Sequence, residues 1–563
     1  VTQAEIGQPV PRIDVEALIA RLCDPRTELA LLDVREEGQF GMGHMLWAVN
    51  APYSRLEAVV PSLVPRHASM IVLVDAGDNV AQRAASRLRS LGYLQVFALD
   101  GGIHAWEAAG HPVFQGVYVP GKVLGEWAEE HLETPSIDAV TLDRLQAEGA
   151  PLVVLDPRSE AEHAARHIPG ALSCPNGEIL LRFEALAPSY DTLIVVACGG
   201  RTRGIVGAQT LIDAGVGHRV VALADGNHGW QLAGLNLETG LRHKAPAPDF
   251  AQEEKARKRS LGIAQAQDVP AIDAAQLARW RTEDHRTTYV LDVRTPAEFA
   301  QGHLEGAHNA PGGQLVQASD RWLGTLHARV VLVDDDGVRA IQSALWLRRL
   351  GWDAYALALH GSRAPRAEPV ARAGKEGVSA DQAARIDPPW SDVLRLAPEL
   401  DVDQARARIG QGGSAWCVGS SEAYLLAHPP GAAWATRARL DGPIAAAASG
   451  QDVILFSEDD RLAHLAAADL LDSVQHASVF VVRGGQASWE AAGEPVEAPP
   501  ADALTREQRI DFLFWAHDRR SGNAASMRAY LDWEKQLTAQ AQREPAGFPL
   551  ARVHRSLEST QPQ

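Results

Sequence analysis

The sequence predicts four tandem α/β domains, each a mainly parallel sheet flanked by helices, followed by a helical C-terminal tail. Three observations predict it. A length of 563 residues corresponds to about four domains of roughly 150 residues. Short apolar runs alternate with amphipathic helical stretches, the pattern of doubly wound sheets. One set of marks also recurs along the chain, the signature of internal duplication.

The first mark is an apolar strand ending in Asp-x-Arg: ALLDVRE with Asp33 and Arg35, VVLDPRS with Asp156 and Arg158, and YVLDVRT with Asp292 and Arg294. The second Asp lies 123 residues after the first and the third 136 after the second; a further 123 reaches Ala415 in SAWCVGS, read as a fourth copy without the pair. Next comes a His turn, in GHMLWA (His44), RHIPGA (His167), GHLEGA (His303) and AHPPGA (His428). A second strand ends 42 residues after the first mark, at Asp75, Cys198, Asp334 and Ser457. A helical stretch follows, then a short strand (VFAL, VVAL, AYAL, VFVV) and a Gly-rich turn that leads to Trp106, Trp230 and Trp489 in three copies. In such sheets the loops leaving the carboxyl ends of the strands form the ligand crevice, which places residues 75, 198, 334 and 457 where chemistry is expected.

The punctuation sets the units at 11–115, 134–240, 270–368 and 399–497, with linkers at 116–133, 241–269 and 369–398, the last containing Pro388 and Pro389. The equal offsets within the first and second pairs suggest a duplicated two-domain ancestor. The tail, 503–563, carries two helical patterns around HDRRSGN. It is expected to dock its apolar face on a neighbouring domain; the sharper reading has His517, Arg519 and Arg520 close an active site or a dimer contact.

Composition narrows the function classes. The 53 basic and 71 acidic residues give a net charge of −18, and 47 of the basic residues are Arg spread along the chain. That disfavours nucleic acid and anionic membranes as partners, while leaving room for a local Arg-lined anion pocket. No apolar run approaches a membrane span and the N-terminal stretch lacks the regions of a signal peptide, so a cytoplasmic location is expected. The four cysteines, Cys23, Cys174, Cys198 and Cys417, form no CxxC pair, so neither a disulfide framework nor a metal site is expected.

Of the four equivalent positions only Cys198 is a nucleophile for soft chemistry, within Cys198-Gly199-Gly200-Arg201-Thr202-Arg203-Gly204. The glycines allow a tight loop of converging N–H groups, the helix N-terminus adds positive potential, and Arg201 and Arg203 add charge. These features are expected to favour the thiolate and to bind an oxyanion.

The repeat resembles the rhodanese domain, through its Asp-x-Arg, its His turn, its Gly-to-Trp ending and above all its Cys-x4-Arg loop. The resemblance covers roughly 400 residues of the chain. It implies a thiosulfate sulfurtransferase in which Cys198 takes sulfane sulfur from a thiosulfate-like small-molecule donor, forms a persulfide and passes the sulfur to a thiophilic acceptor. No cofactor beyond the covalent persulfide and no metal are implied. By the same resemblance, two-domain members pair an inactive first domain with an active second one, so the first unit is expected to wall the site. The chain departs from the family at Arg201, where Gly is common. A Cys-x5-Arg loop on the same fold serves phosphatases and arsenate reductases, but the loop here is one residue shorter. A different class of reading is a persulfide relay or scaffold that delivers sulfur to a protein acceptor with little turnover of its own.

Supporting roles are weighed by comparing copies. Asp156, Arg158 and His167 have counterparts in units without the cysteine, which favours structural roles. Cys174 aligns with Ala51 and Ala310; it is read as a small packing residue, with a resolving thiol as the alternative. Asp75, Asp334 and Ser457 cannot carry sulfur and are expected to cap helices.

Overall fold

The computed structural model describes residues 8–240, 243–357, 397–500, 502–520 and 522–548. They contain four five-stranded sheets of one topology. With the strands of each unit numbered along the chain, the spatial order is 1-5-4-2-3, and neighbouring strands run parallel. The two central strands are Leu29–Asp33 and Met70–Val74, Leu152–Asp156 and Leu193–Val196, Thr288–Asp292 and Arg329–Val333, and Ser414–Cys417 and Val453–Phe456. Helices cover both faces of a parallel sheet, so these strands read as unbroken apolar runs. A helix near the start of each unit is capped by an aspartate, Asp14, Asp138, Asp273 or Asp401, which accepts the N–H three residues on. The carboxylate satisfies an end N–H and meets the positive end of the helix dipole.

Strand register corrects the reading of the fourth unit. Asp33 pairs with Asn50, Asp156 with Ser173 and Asp292 with Asn309, whereas in the fourth unit Cys417 pairs with Trp434. The counterpart of the strand-end Asp is therefore Cys417 and not Ala415, and its distance to Ser457 is 40 residues rather than 42. The offset within the second pair, Asp292 to Cys417, is therefore 125 residues against 123 for Asp33 to Asp156 in the first, so the two offsets are close but not equal.

Packing follows a different pairing from sequence order. Units two and three share one apolar core. Unit one meets unit four through buried Arg437, which donates to Glu57 at 2.6 and 2.8 Å and to Asp469 at 2.9 Å. Two stretches read as linkers contain helices built into the shared core. In Val119–His131 every residue from Val119 to Ala128 is buried, and Phe250–Ala266 buries Ala256, Ser260 and Ile263. The end of the third unit from 358 to 368, most of the linker 369–398 with Pro388 and Pro389, and the tail beyond 548 lie outside the described residues.

The tail folds as helices Phe514–Arg520, Ala524–Lys535 and Leu537–Ala541. The middle helix buries Met527, Tyr530, Leu531 and Glu534, while Leu537 and Ala541 enter the core shared by units two and three. Among the described residues no helix is long and apolar enough to cross a membrane.

Candidate active site

Cys198 follows strand Leu193–Val196 at the carboxyl end of the second sheet, and helix Thr202–Asp213 begins four residues on. The N–H of Gly204, in the first turn of that helix, donates to the Cys198 sulfur. The same bond recurs at the sister positions. Ala81 donates to Asp75 Oδ2 at 3.0 Å and Ala340 donates to Asp334 Oδ2 at 2.9 Å, each six residues beyond the strand end as Gly204 is. The second oxygens accept from Gly77 at 2.9 Å and Gly337 at 3.1 Å. Two units thus hold a carboxylate in the N–H cradle where the second holds a sulfur. In the fourth, Ser457 Oγ accepts from Asp459 N–H at 3.1 Å. None of the three occupies the expected N-cap position, which belongs to Asn79, Val338 and Asp459.

The Gly-rich turn supports the loop from behind. A Cβ on Gly226, where φ is +50°, would lie 2.3 Å from the Cys198 carbonyl oxygen, and one on Gly102 would lie 2.3 Å from that of Asp75. Only glycine permits this approach. It lets Asn227 N–H donate to Cys198 O at 2.8 Å and His228 N–H to Gly199 O at 3.2 Å.

Both loop arginines are committed to carboxylates, which changes the electrostatics expected from sequence. Arg201 donates to Glu126 at 2.8 and 2.9 Å, to Asp225 at 3.0 Å and to Glu129. Arg203 forms a bidentate pair with Glu162, both bonds 2.7 Å. The pair recurs without a cysteine as Arg339 with Glu298 at 2.8 and 3.1 Å. Burial pushes the Cys198 thiol up; Arg203, the Gly204 N–H and Arg158 oppose that and Glu534 reinforces it, leaving a net rise. The loop alone therefore does not lower the thiol as expected, because the arginine charge is largely neutralised and Cys198 is only 2% exposed.

Asp156 and Arg158 form a buried pair at 2.9 and 2.6 Å, and Arg158 also donates to the Arg166 carbonyl at 2.5 Å. Arg35 with Asp33 and Arg294 with Asp292 repeat that geometry. His163 Nδ1 lies 2.9 Å from Asp156 Oδ2, a contact particular to the second unit because Phe40 and Phe299 hold the corresponding place. His167 stacks on His163 at 3.8 Å and bonds its carbonyl at 2.8 Å. Cys174 is fully buried in the shared core, and burial pushes its thiol up to about 12.

The tail covers the loop. A Cβ on Gly200 would lie 3.1 Å from the Tyr530 ring and 3.2 Å from Glu534 Oε2. Thr202 Oγ1 donates to Glu534 Oε1 at 3.1 Å, the Tyr530 hydroxyl donates to the same oxygen at 2.9 Å, and Lys122 Nζ donates to the Tyr530 hydroxyl at 3.1 Å. The Arg519 guanidinium lies 4.1 Å from the Tyr530 ring centre. Cys198 and these groups line a cavity of about 1500 Å³. Its facing wall comes from unit three, including Glu298, Gly312, Gln317 and Trp322, while unit one contributes only Glu37, Ser62 and Pro65. The first unit thus contributes to the wall, as the two-domain resemblance implied, but the third unit, which that resemblance did not include, contributes more of it.

Sequence reasoning missed Lys122, Glu162, His163, Tyr530 and Glu534. The Ser159-to-Glu162 capping box was a legible signal for Glu162. Lys122 and the tail residues lie outside the repeat, so comparison of copies offered no signal for them.

The rhodanese-like domain model matches residues 14–109, 138–233 and 273–363. The crystal structure of a thiosulfate sulfurtransferase from Pseudomonas aeruginosa superposes with a TM-score of 0.84 at 37% identity, covering 96% of this chain and 99% of that one. The Mycobacterium tuberculosis protein SseB is 30% identical over 135 residues, 22% of this chain and 47% of that protein. An HTH-type transcriptional regulator of the same organism is 31% identical over 125 residues, 20% of this chain and 54% of the regulator. The chain spans about half the length of these two sequence relatives.

Proposed function

Because the chain belongs to the rhodanese-like domain family, we propose that it is a thiosulfate sulfurtransferase working through a persulfide on Cys198. The thiolate attacks the outer sulfur of thiosulfate, a new S–S bond forms as the donor's S–S bond breaks, and the electron pair leaves on sulfite. A thiophilic acceptor such as cyanide then attacks the outer persulfide sulfur and regenerates the thiolate. The sulfur travels on Cys198 itself, so the transfer needs no cofactor. The Gly204 N–H, with Arg203 and Arg158 already paired to Glu162 and Asp156, offsets part of the negative charge of thiolate and persulfide. One observation carries the reading: of four equivalent N–H cradles, one holds a sulfur nucleophile, and that one opens on the large cavity.

A second reading, a relay that hands sulfur to a protein acceptor, draws support from the cavity volume of about 1500 Å³, far larger than thiosulfate needs. Steady-state thiosulfate:cyanide transfer by wild type and Cys198→Ser, with intact mass after thiosulfate alone, tests both. Turnover together with a gain of about 32 Da, each lost in Cys198→Ser, supports the enzyme. Loading without repeated turnover favours the relay, and activity persisting in Cys198→Ser overturns the site.

A further inference from the structure

With Arg201 and Arg203 both paired with carboxylates, the charge that holds a dianionic donor must come from elsewhere in the cavity wall, where Lys122 stands with Arg158, Arg166, Arg182, Lys244, Arg321 and Arg519. Arg201 is met by Glu126, Glu129 and Asp225, Arg203 by Glu162, and Arg158 by Asp156. Lys122 differs from all three. The residue is 6% exposed, it lines the same cavity as Cys198, and it donates to the neutral Tyr530 hydroxyl. Among the described residues no carboxylate lies within ion-pair distance of it. An ammonium has three donors and no acceptor, so two N–H bonds remain for a ligand.

We propose that Lys122 is the donor-binding cation of this site: held in the cavity wall by Tyr530 of the tail, its ammonium takes the sulfonate end of thiosulfate while the outer sulfur faces Cys198. The proposal rests on the sulfurtransferase reading and assigns the residue that confers its preference for an anionic donor. As the S–S bond of thiosulfate breaks, the departing electron pair and the full dianionic charge collect on sulfite, the group beside Lys122. A buried, charge-assisted contact is the kind that discriminates anionic from neutral sulfur donors. Lys122 sits on helix Val119–His131 and Tyr530 on helix Ala524–Lys535. The donor site is thus completed by two segments outside the repeated fold, and no single unit could bind the donor in this way.

The test separates binding from turnover. Thiosulfate is titrated by calorimetry into full-length Cys198→Ser, which cannot react, and into the same protein carrying Lys122→Met or Lys122→Arg. Loss of affinity by about tenfold or more in Lys122→Met, with Lys122→Arg restored to within about threefold of the parent, supports the proposal. Equal weakening in both variants, unchanged affinity in Lys122→Met, or no thiosulfate binding by Cys198→Ser overturns it. Turnover of the wild type, measured separately, decides the sulfurtransferase reading. A wild type that turns over while Lys122→Met binds normally sinks this proposal alone.

Discussion

Glu534 accepts the hydroxyl of Thr202 at 3.1 Å, tying the C-terminal tail to the Cys198 loop across 332 positions of sequence. The carboxylate receives the Tyr530 hydroxyl on the same oxygen, so the tail presents its aromatic ring to Gly200 and its polar edge to the start of the loop helix.

Removing the Tyr530 ring should therefore open the site. Tyr530→Ala is expected to raise the rate at which a neutral alkylating reagent modifies Cys198 by about tenfold or more, because the sulfur loses its cover. Stability should fall by about 3 kcal/mol, as for other buried aromatic truncations. Mass spectrometry against time after iodoacetamide reads the first, and urea unfolding the second. An unchanged alkylation rate means that the tail does not shield the thiol.

The cradles without cysteine make a graded prediction. Asp75 accepts two backbone N–H groups and Asp334 three, whereas Ser457 accepts one. Stranding buried donors costs about 1–3 kcal/mol each, less where the loop relaxes to water. Asp75→Ala and Asp334→Ala should each lose about 2–4 kcal/mol in denaturant unfolding, and Ser457→Ala about 1 kcal/mol. None should alter sulfur loading of Cys198. Loss of loading in Asp334→Ala with stability intact would assign the third unit a part in the chemistry.

The sequence made the fold legible because burial of central strands leaves an unmistakable period: Leu29–Asp33 and its sisters are apolar at each place the sheet requires. Glycine at 226 and tryptophan at 230 were visible for the same reason, since backbone contact with the loop admits no Cβ. What stayed hidden was anything set by packing between units. Residue spacing alone points to Ala415, and only pairing to Trp434 identifies Cys417 as the true counterpart of Asp33. The loop arginines were legible as charges but not as neutralised charges, because Glu126 and Asp225 approach Arg201 from separate helices or their ends. Lys122 gave no signal at all, since its role depends on a tail helix about 400 residues away.

Cys174 is the second thiol of the unit that carries Cys198, and it lies in the apolar core rather than in the cavity lining. Its thiol is fully buried and pushed up to about 12, so the thiolate fraction available for exchange with a persulfide is negligible. Its backbone N–H donates to Asp156 O at 2.9 Å, as Ala51 does to Asp33 and Ala310 to Asp292 at 2.8 Å. Cys174→Ala should therefore retain wild-type loading and turnover and cost about 1 kcal/mol for the lost sulfur contacts. A drop in turnover with loading preserved would instead make Cys174 a partner in sulfur release.

The pH dependence of donor binding should follow Lys122. Burial pushes its ammonium from the ordinary 10.5 down to about 8; Glu534 opposes this, Arg519 and Arg203 reinforce it, and Cys198 opposes it. Tyr530 and Trp533 of the tail and Asp320 of the third unit also face it. Since the charged form binds the anion, thiosulfate affinity for Cys198→Ser should be level below about pH 7 and weaken as pH rises through about 8, with Cys198 ionisation removed from the profile. Folding moves the opposite way. A lysine whose folded value lies below its unfolded one is a penalty fully present below about 8 and relieved as pH rises toward 10.5. Relative to Lys122→Met, the wild type should gain stability across that window in urea titrations. A binding profile that stays flat from pH 7 to 9.5, or one that rises, would show that Lys122 neither carries the charge nor meets the donor.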